Sequence, residues 1–145
     1  MNKGIVRTKQ VVGKYYLFPD ENKQRLHEGG ARLSSPRKEE NDVNPLVSII
    51  TVVHNAADDL ERTIQSVADQ VYDNIEYIII DGGSTDGTPD IMKKYEKHIG
   101  YYISEPDSGI YNAMNKGISL AQGKYICLLN AGDIYHSDFI STSVN

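Results

Sequence analysis

At 145 residues, 39% apolar and 24% charged, the chain is long enough for one globular domain with its own core, because domains of roughly 100–150 residues are the commonest size. It holds no apolar run near the ~20 residues of a membrane span and no charged-then-apolar leader at Met1, so a cytoplasmic protein is expected. The net charge of −5 is uneven, with nine Lys/Arg against six Asp/Glu in residues 1–44 and six against fourteen in residues 45–145; an acidic body without a basic, aromatic-laced stripe excludes nucleic acid as a partner.

Residues 1–44 carry no sustained period. Val11-Val12 and Tyr15-Tyr16-Leu17-Phe18 suit a short strand or hairpin, residues 19–23 are turn-like, and residues 34–44 are polar. An appendage packed loosely on the domain, followed by a linker, is expected here. From Leu46 the texture changes. Leu46-Val47-Ser48-Ile49-Ile50-Thr51-Val52-Val53 is a nearly continuous β-branched run, as in a strand buried on both faces. Residues 58–70 place Leu60, Ile64 and Val67 on one helical stripe. A second buried strand, residues 75–80, stops at Asp81-Gly82-Gly83. Thr88-Pro89-Asp90 reads as hydroxyl N-cap, proline N1 and first-turn acid of a helix reaching about His98. Residues 99–104 form a third strand, residues 110–121 a third helix closed by Gly123, and residues 124–129 a fourth strand. The lone Cys127 lies in this last apolar run, where it reads as a small core residue rather than a nucleophile. Alternating strands and helices predict an α/β fold, a Rossmann-like doubly wound and mainly parallel sheet.

Ligands of such sheets bind beyond the carboxyl ends of the strands. Those ends carry His54-Asn55, Asp81-Gly82-Gly83-Ser84-Thr85-Asp86-Gly87, Glu105-Pro106-Asp107-Ser108-Gly109 and Asn130-Ala131-Gly132-Asp133. Each has a plain alternative: Ser84 or Asp86 can cap a helix, His54 can be an ordinary strand-end residue, and the other two segments can be turns. Four such explanations at four consecutive ends account for the pattern less well than one shared site. No G-x-G-x-x-G follows the first strand and no G-x-x-x-x-G-K-[ST] loop occurs, which excludes the hydride-transfer and P-loop cradles. A diphosphate would then need another counter-charge. A carboxylate holding Mg²⁺ or Mn²⁺ supplies one, and Asp133 stands where it is wanted. Lys116 is a weaker candidate, read as solvated on a polar helix face.

Taken in order, these segments resemble the inverting family 2 glycosyltransferases of the GT-A fold over about residues 45–145. Residues 47–55 resemble the opening strand, and residues 61–70 the helix written L-x-x-[ST]-[IL]-x-S-[IV]-x-x-Q. Residues 81–88 resemble the D-[DG]-[GS]-S-x-D-x-[ST] signature, and residues 105–117 a segment frequent in bacterial members that build surface polysaccharides. The resemblance implies transfer of a hexose from a nucleotide-diphosphate sugar to the hydroxyl of a saccharide or lipid-linked saccharide acceptor, in the cytoplasm or peripherally at the inner face of the membrane. It implies that Thr51, Val53, His54 and Asn55 line the base and ribose pocket, and that Asp81, with Gly82 and Gly83, binds the base. Asp107 would lie near the ribose or donor sugar, with Asn115, Asn130 and Ala131 also in the donor site. Asp133 would anchor the divalent metal, bound together with the nucleotide. Two departures stand out: Asn130 and Gly132 replace acids of the family's metal motif, and many relatives have Tyr where His54 stands.

The family's general base would fall beyond Asn145, so a catalytically inactive nucleotide-binding or interaction module left by truncation is the alternative. A truncated sheet would leave the fourth strand as an open edge with Ile126 and Leu128 uncovered, implying marginal stability or self-association there. Relatives also carry a basic segment with a Glu-Gly-Gly core ahead of the domain, here Glu28-Gly29-Gly30.

Overall fold

Seven-residue runs of β-branched residues favour extended backbone, and here they form the centre of a sheet covered on both faces. In the structure, a computed structural model that describes residues 6–7, 25–35, 38–39 and 41–145, β3 (Val47–Val53) pairs in parallel with β4 (Ile75–Asp81) on one side and β6 (Tyr125–Leu128) on the other. β4 in turn pairs in parallel with β5 (Tyr101–Ser104). Short antiparallel strands close the two margins: β1 (Val6–Arg7) on β6 and β2 (His27–Gly29) on β5, giving the order β1-β6-β3-β4-β5-β2. The chain therefore walks outward from β3 to β5 and returns beyond β3 as β6. This is the doubly wound, mainly parallel α/β sheet that the alternation predicts. The hairpin expected over residues 11–18 and the turn at 19–23 lie outside the described residues.

The side-chain period of two divides each strand between two cores. Val47, Ile49 and Val53 face α1 (Ala57–Ala68), α2 (Thr88–Lys94) and the terminal α4 (Phe139–Val144), with Leu60, Ile64, Met92 and Ile140 buried among them. Ile50 and Val52 face α3 (Ile110–Leu120), with Ala113 and Ile126. Each fully buried Ile contributes roughly 1.5–3 kcal/mol by leaving water. Cys127 is fully buried in the first core, and burial pushes its thiol up to about 12, which makes it inert as a nucleophile near neutral pH. α3 lies close on the sheet because Gly117 has no side chain; a Cβ there would overlap the Ile50 Cγ2 methyl.

Three expectations change. The outer edge of β6 is not open: β1 pairs with it, placing Val6 opposite Ile126, which is 5% exposed, while Leu128 is half-buried. β1 covers Tyr125 and Ile126, so the part of that edge open to self-association is smaller than expected. The described parts of residues 1–44 are joined to the sheet rather than loosely attached, through β1, β2 and a 3₁₀ turn at Ala31–Leu33. Thr88 is the first residue of α2, behind an N-cap at Gly87, because its hydroxyl is taken by Ala56 N–H and its own N–H by Asp86. Among the described residues no helix is long and apolar enough to cross a membrane. Gly117→Ala should lower the unfolding free energy by about 1–3 kcal/mol through overpacking against Ile50, measured by urea denaturation.

Candidate functional site

Asp81 ends β4 with no exposed surface. A buried carboxylate is tolerated only when its oxygens receive donors, and the local sequence provides them. Ser84 N–H donates to Oδ2 at 3.1 Å, Ser84 Oγ–H donates to Oδ1, and Ser104 Oγ–H, from the end of β5, donates to Oδ2. Ser84 Oγ also accepts Asn55 N–H at 2.7 Å, and Asn55 Oδ1 accepts Thr85 N–H at 2.8 Å. Asp86 receives Thr88 N–H on one oxygen and Ala57 N–H on the other, at the starts of α2 and α1. Hydrogen bonds from the Thr88 hydroxyl and then from its N–H hold the exposed Asp86 carboxyl below the usual range. The polar residues of the 81–88 signature thus lace the β4–α2 loop to the β3–α1 loop.

Beside this lacing lies a cavity of about 390 Å³ lined by Val52, Val53, His54, Gly82, Asp107, Gly109, Ile110 and Ala113, within the roughly 300–1,000 Å³ of small-ligand pockets. It sits over the carboxyl ends of β3 and β4, against the first turns of α3. Gly82 makes its floor possible: a Cβ there would stand 2.8 Å from Asp107 Oδ2 and 3.4 Å from His54 Nδ1. Asp107 Oδ1 accepts Gly109 N–H at 2.9 Å, which turns the other oxygen toward Gly82. The walls are largely apolar, with His54 and Asp107 bringing the polar groups, the composition usual for small-ligand pockets.

The segment after β6 is held by hydroxyls of α1 and by Gln70 just beyond it. Thr63 Oγ accepts Gly132 N–H at 3.0 Å and donates to Asp133 O at 2.8 Å; Ser66 Oγ accepts Tyr135 N–H; Gln70 donates to His136 O and accepts Ile140 N–H. Thr63 and Ser66 fall on one face of α1 and Gln70 lies two residues past its end, so the helix carries an apolar stripe toward the core and hydroxyls that fix the turn at 130–133. Asp133 N–H closes that turn onto Asn130 O, and the Asp133 side chain is half-buried. Among the described residues no group of three or more His, Cys, Asp or Glu is placed to hold a metal ion. The donor set fits a hard divalent cation only as one anchoring carboxylate, with the remaining positions filled by a ligand's phosphates and water.

Of the residues singled out in the sequence, Val53, His54, Gly82 and Asp107 meet at the cavity. Thr51 does not: its buried hydroxyl bonds the Tyr77 hydroxyl at 2.9 Å, two residues short of the strand's end. Asp81 and Asn55 are consumed in the lacing, and Gly83 packs on the backbone of Pro106. Asn115 is on the exposed side of α3 and does not line the cavity. Asn130, Ala131 and Asp133 stand on the same sheet edge, past β3, outside the cavity lining. Lys116 is not solvated: it is 2% exposed and 2.9 Å from Glu105 Oε1, itself 1% exposed. The sequence reading missed Ile110 and Ala113 in the wall, and named Thr63, Ser66 and Gln70 within the helix motif without seeing that they hold the turn at Asp133. Hydroxyl residues inside a helix, where they are poor helix formers, were the available signal for the latter.

Comparisons with known proteins agree with this geometry. Residues 48–145 match the model of the family described as Glycosyl transferase family 2. A putative teichuronic acid biosynthesis glycosyltransferase, TuaG, of Bacillus subtilis is 44% identical over 99 residues, covering 65% of this chain and 38% of that protein. The chain thus spans little more than a third of that relative. Among solved structures, the mannosyltransferase PcManGT of Pyrobaculum calidifontis, in complex with GDP-Man and Mn²⁺, superposes with a TM-score of 0.64 at 22% identity, over 75% of this chain and 34% of its own. TarS of S. aureus in complex with UDP-GlcNAc gives 0.62 at 19% identity, over 68% and 30%. At such identities the likeness shows the fold, a GT-A-type sheet.

Two outcomes follow from the lacing. Ser84→Ala removes a donor to Asp81 and the acceptor of Asn55 N–H, and should cost about 1–3 kcal/mol of stability in chemical denaturation. The Asp86 carboxyl is held low in the folded chain, so its contribution is present above the ordinary Asp pKa of about 4 and lost as pH falls below it; acid unfolding of Asp86→Asn should lack that component.

Proposed function

Because the chain belongs to glycosyl transferase family 2, we propose that it provides the donor-binding part of a glycosyltransferase that moves a sugar from a nucleotide-diphosphate sugar to an acceptor hydroxyl. The observation that carries this reading is the cavity over Gly82. Val52, Val53, Ile110 and Ala113 present an apolar slot for a base, while Asp107 Oδ2 and His54 offer an acceptor and a ring nitrogen to ribose hydroxyls. The first turns of α3 open onto the same space, and helix N-termini favour anionic groups. The similarity to TuaG, named as a putative teichuronic acid biosynthesis glycosyltransferase, supports a role in cell-surface polysaccharide synthesis.

The chemistry is a single displacement at the anomeric carbon. An acceptor oxygen attacks as the nucleoside diphosphate leaves, and its proton passes to a base in the acceptor-binding part of the protein. In this chain the cavity residues orient the nucleoside, and the 130–133 turn, held by Thr63, presents Asp133 toward the leaving side. Mg²⁺ or Mn²⁺ held there by Asp133 together with the diphosphate would supply Lewis-acid neutralisation of the departing charge. With only one protein carboxylate, affinity for free metal should be low and coupled to nucleotide.

Calorimetric titration with UDP, GDP and dTDP, each with and without Mn²⁺, tests this. One nucleotide should bind, more tightly with metal. Asp133→Ala should abolish the metal enhancement while leaving metal-free binding, and Gly82→Ala should weaken both by about tenfold. Binding of none of the three would overturn the donor-site reading for this chain. Nucleotide binding without sugar transfer to any saccharide acceptor would favour the inactive binding module.

A further inference from the structure

Arg25 lies well ahead of the family match, yet it reaches the edge of the site. Its Nε donates to Glu105 Oε2 at 3.2 Å, and its other end pairs with Glu28 at 3.2 Å. Glu28 in turn accepts the Tyr101 hydroxyl. Next to it, Leu26 N–H donates to Ser104 O at 2.8 Å, and β2 continues the pairing along β5. The N-terminal segment therefore grips the last residue of β5 through the backbone and the following one through a charge.

Glu105 has no solvent of its own. Its N–H bonds Asp81 O at 3.0 Å, and its carboxylate lies between Lys116 of α3 and Arg25. Lys116 also donates to Pro106 O at 3.3 Å. Proline fixes its own φ and restricts the residue before it, so the direction of the turn at Pro106 follows from where Glu105 is held. Asp107 comes immediately after. Its Oδ2 has to clear Gly82 by a margin too small for a methyl group, since a Cβ there would lie 2.8 Å away.

We propose that Arg25 is a positioning residue of the cavity: acting through Glu105, it sets the 105–109 turn so that Asp107 faces the space over Gly82. This rests on the donor-site reading for its consequence in binding. The turn itself is a separate observable. Removing Arg25 takes away one of the two cations that flank the Glu105 carboxylate, so that its side chain shifts toward Lys116 and carries Pro106 and Asp107 with it. A bidentate guanidinium is needed to hold two carboxylates in fixed directions, so lysine should restore the turn only in part.

The test uses the 145-residue chain with Arg25→Met, which keeps the apolar stem, and Arg25→Lys. Amide hydrogen exchange is followed along the backbone, and the nucleotide titration above is repeated. Exchange should quicken at residues 105–109 in Arg25→Met, recover partly in Arg25→Lys, and stay unchanged in β3 and β4. The affinity for the bound nucleotide should fall by about tenfold, equally with and without Mn²⁺. Unchanged exchange at 105–109 overturns the proposal. So does quickened exchange throughout the sheet, which marks a merely structural role, or a local change that leaves affinity intact. If Arg25→Met does not fold, the same comparisons are made on Arg25→Lys against the unaltered chain. Should the unaltered chain bind no nucleotide, the donor-site reading fails by itself, and the exchange pattern alone decides whether Arg25 holds the turn.

Discussion

The arrangement of the whole carboxyl edge follows from burying Asp81. A carboxyl group with no exposed surface is costly unless donors reach both oxygens, and three reach this one, from Ser84 twice and from Ser104. Meeting that demand folds the loop back over the end of β4 and holds the end of β5 alongside. The Ser84 hydroxyl, once placed, accepts Asn55 N–H. That bond, with the one from Thr85, holds Asn55 in the left-handed region at φ 48°, a conformation Asn tolerates better than most residues. The cavity is what remains beside these bonds where Gly82 contributes no side chain.

Each of the other strand ends is tied to a neighbour in its own way. The turn after β6 is fixed by hydroxyls of α1 and by the Gln70 amide past its end, and the turn after β5 by ion pairs from α3 and from the N-terminal segment. A site on such an edge is held by rigid elements rather than by its own loops, which is the condition for presenting polar groups with small tolerance. It also explains why the motif residues and the cavity residues are largely different sets. Asp81, Ser84, Asp86, Thr88, Thr63, Ser66 and Gln70 are spent on the framework. His54, Asp107 and the bare backbone of Gly82 line the cavity instead.

Residues ahead of the family match share in this framework. Glu76, buried near the start of β4, accepts Ser48 Oγ–H at 2.6 Å and Gln122 N–H at 2.8 Å, and Arg32 pairs with it while donating to Leu120 O at 2.8 Å and lying over the Tyr101 ring. The segment holding Arg25 and Arg32 is thus tied to the sheet at both ends of β5. Its two guanidinium groups serve carboxylates that the core strands bring inside.

Much of this was present in the chain as written. Unbroken β-branched runs mark strands with both faces covered, their alternation with one-sided helical stripes marks parallel pairing, and polar residues gathered at strand ends mark the reactive edge. Those signals are local, set by period and composition, so the sequence alone determines the α/β class, the four central strands and the sheet edge where the polar residues gather. Which polar residue faces a ligand and which is spent as scaffold is not local. Thr51 and Val53 both lie at the end of one strand, yet Thr51 bonds Tyr77 within the sheet and Val53 reaches the cavity. Lys116 resembles a solvated lysine until β5 brings Glu105 beneath it, and Arg25 has no legible role until β2 pairs with β5. Such assignments depend on partners 11 to 80 residues away along the chain, brought together only by strand order and register, and so only the tertiary structure decided them.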